Sequence, residues 1–344
     1  MNEKDPKRLK IRRVVLTVLC AVLGVFLVAT VGATVYAGHL LNQVNYVQSD
    51  TLAVLPEIDV NAAQMQTEPT LPVFTAPVLD FADVDIGTGP QLNVGGGEIV
   101  NILLVGRDTA SEEGARSDAM ILCTFNKEKN TITLTSFLRD LYVKIPGYKK
   151  NRINAAYSFG GVGLLNETLN LNFGVEIDGN VQVDFAHFKK IIDLVGGVTL
   201  DLTEAEVKFI KKYYPKSELT AGTNLLSGKE ALMYARNRHD VDGDFSRTNR
   251  QRKVLNALME QCREKKLTEI LGLLNDVLPM VTTDISKTDL TAYAVTLFPM
   301  IRDAQINTQS IPIDGGYRNA TIDEMCVLVP DLEKNRQALI DTLN

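Results

Sequence analysis

Histidine and cysteine are scarce in this sequence of 344 residues. The three histidines, His39, His187 and His239, are widely separated, so the sequence offers neither a metal-binding histidine cluster nor the pattern of a serine-type triad. The four cysteines are not at metal-ligand spacing, which argues against a zinc site. Cys262 and Cys326 could form a disulfide in an oxidising compartment, but buried free thiols are an equally good interpretation.

The sequence also lacks an excess of positive charge. It has 36 Lys and Arg residues against 42 Asp and Glu residues, which gives a formal net charge of −6. It therefore has no basic field of the kind that drives sequence-independent nucleic-acid binding, and we predict no nucleic-acid partner. Hydrophobic residues make up 45% of the chain, which suffices for a sizeable core. Any site for an anion must be local.

Charged residues are absent from one long N-terminal run. Residues 14–38 contain no Asp, Glu, Lys or Arg, and basic residues crowd the segment 1–13 before them. A helix rises about 1.5 Å per residue, so the run exceeds the roughly 20 apolar residues that cross a bilayer. Flanking basic residues favour the cytoplasmic side. The pattern predicts a single-pass protein of the cell membrane, with a cytoplasmic tail at 1–13, a transmembrane helix at 14–38 and an extracytoplasmic working domain.

A cleaved signal peptide is the alternative interpretation of this run. Val35 and Ala37 before Gly38 resemble a small-residue cleavage site. The apolar stretch is well beyond the roughly 7 to 15 residues of a signal-peptide core, which favours a retained anchor. A mature N-terminus at Gly38 would establish cleavage instead.

Residues 39–97 contain no long periodic element. They are rich in Thr, Gly and acidic residues, and they are interrupted by Pro56, Pro69, Pro72, Pro77 and Pro90. The segment ends in three consecutive glycines, which are typical of a flexible hinge. We predict an extracytoplasmic stalk or linker at 39–97, followed by one domain at 98–344.

This domain alternates extended and helical patterns. Extended patterns lie at 99–105, 120–125, 131–138, 175–183, 198–202 and 306–313. Helical patterns lie at 162–171 and 185–195, from a capping box at Ser227 and Glu230 onward, from near Ser246 and from about Asp331. The first three extended runs are dense in Ile, Leu, Thr and Phe, as in central strands covered on both faces. The alternation predicts an α/β layered domain.

Two carboxylates flank the turn between the first two predicted strands. Asp108 follows the first strand and Asp118 begins the approach to the second. Carboxylates at adjacent strand ends can share a hard cation, and Mg²⁺ is usually held by one or two carboxylates plus the phosphate oxygens of a substrate. Solvated turn formation is the simpler explanation for aspartates in such a loop.

Arginine is concentrated in two further segments. Arg139 closes the third predicted strand, where a surface ion pair is the simple interpretation, although a planar guanidinium also suits bidentate phosphate contact. Residues 234–251 are dense in arginine, and Arg247 and Gln251 share one helix face near amide groups that attract anions. A cation at a helix C-terminus complements the helix macrodipole, but this simple interpretation accounts for Arg236 alone and not for the other arginines of the segment. Together with the two carboxylates, these arginines fit a pyrophosphate bound through a metal.

The ordered motifs of the domain resemble those of the LytR-CpsA-Psr (LCP) family of cell-wall glycopolymer ligases. The motifs lie at residues 101–108 (NILLVGRD), 115–118 (ARSD), 136–140 (SFLRD), 152–157 (RINAAY), 184–185 (DF), 195–198 (VGGV) and 234–240 (YARNRHD), continuing to Gln251. The resemblance covers about residues 99–260, and the remainder resembles the usual C-terminal extension. It implies a three-layer α-β-α catalytic domain with a central mixed sheet, and a long apolar groove for a polyprenyl tail.

The resemblance also assigns site residues. It implies that Asp108 and Asp118 hold Mg²⁺. It implies that Asp118, Arg139 and Asp244 are catalytic. The pyrophosphate-binding positions that it implies are Arg116, Arg139, Arg236, Arg238, Arg247 and Gln251. Arg107 departs from the small residue often found at its position and is left without a role.

The function implied is transfer of a glycopolymer from its polyprenyl pyrophosphate carrier to peptidoglycan through a phosphodiester bond. Asp244 and Asp118 are the candidates for the general base. Two alternatives remain at this point: hydrolysis of the same pyrophosphate, and a non-catalytic module that binds anionic wall polymer. Direct transcriptional control fits poorly with a cytoplasmic tail of about a dozen residues.

Overall fold

The computed structural model describes residues 45–46, 98–107, 117–238, 243–266 and 269–343, except 270–271, 274–275, 287–288, 291–292 and 294–295. The predicted tail and transmembrane helix at 1–38 lie outside these residues, as does the predicted stalk apart from residues 45–46. Among the helices that the structure describes, none combines the length and apolarity needed to cross a membrane.

The described elements alternate along the chain. The strands are β1 (Asn45–Tyr46), β2 (Ile99–Arg107), β3 (Ser117–Asn126), β4 (Thr131–Phe137), β5 (Tyr142–Val143), β6 (Asn151–Arg152), β7 (Gly179–Asp184), β8 (Val198–Leu202), β9 (Gly222–Leu226), β10 (Thr282–Thr283), β11 (Gln305–Ile311), β12 (Tyr317–Ile322) and β13 (Met325–Pro330). The helices are α1 (Ile153–Phe173), α2 (Phe185–Val195), α3 (Glu204–Tyr213), α4 (Gly228–Arg236), α5 (Asp244–Arg263), α6 (Phe298–Asp303) and α7 (Leu332–Leu343), with a 3-10 turn at Leu278–Met280.

A seven-stranded mixed sheet forms the centre of the domain, in the order β1-β10-β7-β2-β3-β4-β11. Strands β2, β3 and β4 are antiparallel neighbours, whereas β7 is parallel to β2 and β11 is parallel to β4. The prediction of an α/β domain with a central mixed sheet is therefore confirmed.

Helices pack on both faces of this sheet. On one face, Leu103 and Val105 of β2 join a buried cluster with residues of α1 and with Leu339 of α7; we call this cluster the α1-side core. On the other face, Ile102 and Leu104 pack against a cluster that includes residues of α5 and α6. Successive strand residues point to opposite faces, so the continuous apolar run in β2 serves both cores.

A third core lies beside the sheet. The β8–β9 hairpin packs there with residues of α2, α3, α4 and α5. Side chains fix where its helices begin. Asp184 accepts hydrogen bonds from the amides of Ala186 and His187, and capping boxes at Thr203 and Ser227 start α3 and α4. The predicted capping box at Ser227 and Glu230 is thus confirmed.

Several elements differ from the sequence expectation. Helix α1 begins nine residues before the predicted 162 and kinks at Gly160 and Gly161, which break the helical periodicity. Helix α5 begins at Asp244, before the predicted start near Ser246. The β12–β13 hairpin and helix α3 were not predicted. The described cysteines, Cys123, Cys262 and Cys326, carry free thiols.

Candidate functional site

One edge of the sheet gathers the ends of four strands. Strands β2 and β7 end there in parallel at Arg107 and Asp184, which are register partners. Strand β3 begins there, since Ser117 pairs with Arg107, and β4 ends there because it runs antiparallel to β3. Residues remote in the sequence are therefore brought to one place, which we call the arginine edge.

An ion-pair cluster of three predicted site residues lies at this edge. Arg139, just beyond β4, places Nε 3.6 Å from Oδ1 of Asp244. Arg247, one turn into α5, donates from Nη2 to Oδ2 of the same carboxylate at 2.9 Å. Arg247 is only 2% exposed, whereas the Arg139 side chain is 22% exposed. Two guanidinium groups from separate elements thus converge on one carboxylate.

A second carboxylate extends the cluster. Asp140 places Oδ2 3.6 Å from Nε of Arg139, and its Oδ1 accepts a hydrogen bond from Nη1 of Arg152 at 3.2 Å. Arg152 is the N-cap residue of α1 and adds a third arginine to the edge. Arg152 was not among the predicted site residues. Its place at the start of the RINAAY motif, residues 152–157, was the available signal.

Arg236 and Arg238 lie at the exposed end of α4. The Arg236 guanidinium is 4.9 Å from the ring centroid of Phe185, the residue that follows the end of β7. This stacking holds Arg236 beside the arginine edge with its donors open to solvent. Arg238 interacts electrostatically with Asp244 and lowers the pKa of its carboxyl. The predicted α4 arginines therefore lie on the outer side of the cluster.

Gln251 follows Arg247 by one turn of α5. Its Oε1 is buried and accepts no hydrogen bond from any residue that the structure describes. A buried amide oxygen without a donor is unusual and suits contact with a ligand hydroxyl, water or cation. Gln251 and Arg247 share one helix face, as predicted.

Asp244 has an unusual environment for a carboxylate. Burial raises its pKa above the ordinary value, while the positive charges of Arg247 and Arg139 oppose that rise. Asp140 adds a smaller raising effect because it is a like charge. A carboxyl with a raised pKa and hydrogen-bond contacts in a charged site is a candidate for proton transfer.

Arg250 lies on another face of α5 and does not join the cluster. Its Nε donates to Glu206 of α3 at 2.8 Å, and its Nη1 donates to the Asn237 carbonyl at 3.2 Å. Both side chains of the ion pair are buried. Arg250 therefore ties α5 to α3 and to the chain just before Arg238, which fixes the elements that carry the site.

The arginine edge also borders an apolar core. Arg139 follows Leu138, Arg152 precedes Ile153, and both of these apolar residues belong to the α1-side core. Phe245, between Asp244 and Arg247 in sequence, packs against the same core. The arrangement places cations where the polar edge meets buried hydrocarbon, which suits a ligand with an anionic head and an apolar tail.

Three predicted site residues cannot be positioned in full. Asp108 and Arg116 lie in residues 108–116, outside the described part, and of Asp118 only the backbone position in β3 is described. Among the described side chains, no group of three or more His, Cys, Asp or Glu residues could hold a metal ion. The strand register still places Arg107 and Ser117, the residues before Asp108 and Asp118, directly opposite each other.

Comparison with known proteins matches residues 84–340 to the LytR_cpsA_psr family. The chain is 31% identical to the regulatory protein MsrR of Staphylococcus aureus over 263 residues, covering 74% of this chain and 77% of that protein. It is 33% identical over 257 residues to a polyisoprenyl-teichoic acid–peptidoglycan teichoic acid transferase, TagU, of Bacillus cereus, covering 73% and 81% of the two chains. A solved structure of YwtF (TagT) with bound octaprenyl pyrophosphate lipid superposes with a TM-score of 0.57 at 26% identity, covering 72% of this chain and 91% of that one.

Proposed function

The chain belongs to the LytR-CpsA-Psr family, and from that premise we propose that it is a phosphotransferase that moves a glycopolymer from a polyprenyl pyrophosphate carrier to peptidoglycan. The relative named TagU is described as a teichoic acid transferase, which supports a role in glycopolymer transfer. The similar YwtF structure holds a polyprenyl pyrophosphate, which supports a lipid-linked partner.

One observation carries this proposal: Arg139 and Arg247 converge on Asp244 beside the α1-side core. A pyrophosphate has two adjacent anionic groups, and several guanidinium groups from different elements can bind it at once. The neighbouring apolar core suits the hydrocarbon part of the carrier. A soluble phosphate metabolite would need the arginines but not their position beside that core.

The reaction follows from these groups. A sugar hydroxyl of peptidoglycan attacks the phosphorus atom next to the glycopolymer, and a new P–O bond joins polymer to acceptor. The bond from that phosphorus to the bridging oxygen breaks, and polyprenyl phosphate leaves with the bonding electrons. Arg139 and Arg247 stabilise the negative charge that develops on the phosphate oxygens, because fixed cations in a partly buried site need little reorganisation.

Asp244 is our candidate for the base that accepts the proton of the attacking hydroxyl. Its raised pKa makes its carboxylate a better proton acceptor than an ordinary aspartate, and Arg139 and Arg247 orient it. Asp118 remains the second candidate. Substitution by Asn at each position, followed by measurement of the pH dependence of transfer, distinguishes the two.

Magnesium is a part of the proposal that concerns Asp108 and Asp118. The β2–β3 register shifts beside Gly106 and Arg107, so Asp118 lies at the shift, and Asp108 is the next residue in sequence after Arg107. These two carboxylates are hard oxygen donors of the kind that would suit Mg²⁺. Bound there, Mg²⁺ would neutralise phosphate charge and polarise the phosphoryl group. Arg116, between them in sequence, would add a guanidinium to the same phosphates.

Membrane attachment completes the proposal. A span at 14–38 would hold the domain in the same bilayer as the lipid-linked substrate, with the N-terminus in the cytoplasm. Confinement to one surface raises the effective concentration of substrate at the site. Protease access from outside intact cells, compared with permeabilised cells, tests this topology.

Reconstitution tests the function. The full chain in detergent or vesicles would be mixed with a short glycopolymer on polyprenyl pyrophosphate, peptidoglycan and Mg²⁺, and polymer covalently attached to peptidoglycan would be measured. We expect attachment together with release of polyprenyl phosphate. Release of phosphorylated polymer without attachment would indicate a hydrolase instead. Binding without turnover, with normal wall-polymer attachment in cells carrying Arg139→Met, would indicate a binding module.

A further inference from the structure

Arg107 is a buried cation that forms no ion pair with any side chain the structure describes. It ends β2 at the arginine edge and is 6% exposed. Its Nε is buried and makes no hydrogen bond within the described part of the chain. An isolated charge in the interior is costly, and buried charges are normally paired or bound to ligands.

The carboxylate paired with Arg107 in the β2–β7 register is already engaged. Asp184, opposite Arg107 on β7, accepts the amides of Ala186 and His187 with Oδ1, each at 2.8 Å. Its Oδ2 lies 2.9 Å from Nδ1 of His187. Asp184 therefore caps α2, and its described contacts do not include the Arg107 guanidinium.

The strand pattern shows which side Arg107 faces. Side chains alternate along β2, and Leu103 and Val105 belong to the α1-side core. Arg107, two residues further, continues that face where the core reaches the arginine edge. It lies deeper than Arg139, and much deeper than Arg236 and Arg238, which are exposed.

We propose that the Arg107 guanidinium binds the lipid-side phosphate of the polyprenyl pyrophosphate, the phosphate that leaves with the carrier. This assignment rests on the proposed function. We place the pyrophosphate headgroup at the arginine edge with its prenyl tail toward the α1-side core. The lipid-side phosphate then lies nearest the buried Arg107, and the polymer-side phosphate lies nearest the exposed Arg236 and Arg238. The phosphate of the substrate, or of released polyprenyl phosphate, then supplies a counter-ion to Arg107.

The test compares two lipids and three variants. The full chain in detergent is titrated with farnesyl pyrophosphate and with farnesyl monophosphate, using the wild type, Arg107→Met and Arg107→Lys. Arg302→Met, an exposed arginine on α6, is the matched control. Because a charge-assisted contact is lost, Arg107→Met should raise the Kd of both lipids about 10- to 100-fold. Arg107→Lys should recover part of that affinity, and the control should leave it unchanged.

The unfolding temperature without lipid separates binding from a structural role. Removal of an unpaired buried charge should leave the unfolding temperature of Arg107→Met equal to that of the wild type or raise it. A clear fall, absent in Arg302→Met, would show that Arg107 supports the fold and would overturn the proposal. Only a variant that keeps its stability and loses affinity agrees with it.

The remaining outcomes are also decisive. Loss of pyrophosphate affinity alone, with monophosphate binding intact, would overturn the assignment to the lipid-side phosphate. Unchanged affinity in Arg107→Met, together with lost affinity in Arg139→Met, would remove Arg107 from the site and leave the proposed function standing. If the wild type binds neither lipid, the proposed function itself fails.

Discussion

Replacing Glu206 by Gln would test how the site is held in place. Glu206 Oε1 accepts the Nε–H of Arg250 at 2.8 Å, and its Oε2 accepts from the Thr203 amide at 2.9 Å and hydroxyl at 3.0 Å. The two charged side chains are 9% and 8% exposed. Glu206→Gln preserves size and removes only the negative charge that neutralises Arg250.

The expected loss of stability follows from that burial. Removing one partner of a buried ion pair costs about 3–5 kcal/mol, because the other charge stays buried without compensation. Arg250 keeps its hydrogen bond to the Asn237 carbonyl and its position over the Tyr234 ring, so we expect the lower end, about 3 kcal/mol. For a domain of this size, that corresponds to a fall in Tm of roughly 6–12 °C.

Thermal unfolding of the full chain in detergent measures this effect. Glu204→Gln is the matched control, since Glu204 is an exposed carboxylate in the first turn of the same helix. The charge-free pair Glu206→Gln with Arg250→Met keeps an oxygen acceptor for the Thr203 amide and should recover most of the lost stability, because neither charge then stays buried without compensation. An equal Tm for Glu206→Gln and Glu204→Gln would refute the reasoning. So would a double variant whose loss of stability equals the sum of the losses caused by the two single substitutions.

A second measurement links this pair to the site. Arg250 fixes the carbonyl of Asn237, the residue before Arg238. Glu206→Gln should therefore weaken farnesyl pyrophosphate binding at a temperature where the variant is still folded, although Glu206 does not contact the arginine edge. Full retention of affinity would show that the α4 arginines are positioned by other contacts.

Three further predictions concern single residues. Arg139→Met should lower polymer transfer about 100- to 1,000-fold, because a fixed cation that stabilises transition-state charge is lost, while Arg302→Met should not change it. Because the folded-state pKa of Asp244 is raised, protonated Asp244 stabilises the folded protein. This stabilisation is fully present below the unfolded-state pKa of about 3.9 and is lost as the pH rises through the folded-state pKa. Unfolding at several pH values should show this loss in the wild type and not in Asp244→Asn, and transfer should fall as the pH drops through the same value. Gly228→Ala should cost about 3 kcal/mol, since its Cβ would overlap a backbone carbonyl of α2, whereas Gly272→Ala, with open space around it, should be neutral.

The central part of the fold could be predicted because its signals are local. Apolar runs predicted the three central strands to within three residues at each end, and the Ser227–Glu230 capping box predicted the start of α4. Helix α3 was missed although its Thr203–Glu206 capping box has the same pattern. Pairing order could not be predicted, since the parallel pairing of β2 with β7 joins residues far apart in the sequence and depends on packing of the whole sheet.

The site was predictable where residue type alone carries the chemistry. The suitability of guanidinium groups for phosphate binding pointed to Arg139 and Arg247 in the sequence. The structure brings both side chains to the Asp244 carboxylate. The sequence could not show which arginines already have a carboxylate partner inside the fold. Arg250 belongs to the same dense segment as Arg247, yet its charge is neutralised by Glu206, 44 residues earlier. Only tertiary structure separates the two roles.

This difference gives a physical criterion for the buried arginines of the domain. The Arg250 charge is neutralised within the protein by the Glu206 carboxylate, so this ion pair does not depend on a bound ligand. Arg107 is buried to a similar degree and has no carboxylate partner among the described side chains, so an anion that enters the site would compensate its desolvation. The two residues should therefore respond differently to ligand. Saturating prenyl pyrophosphate should raise the Tm of the wild type more than that of Arg107→Met, and should not restore the stability lost in Glu206→Gln beyond the ordinary effect of binding.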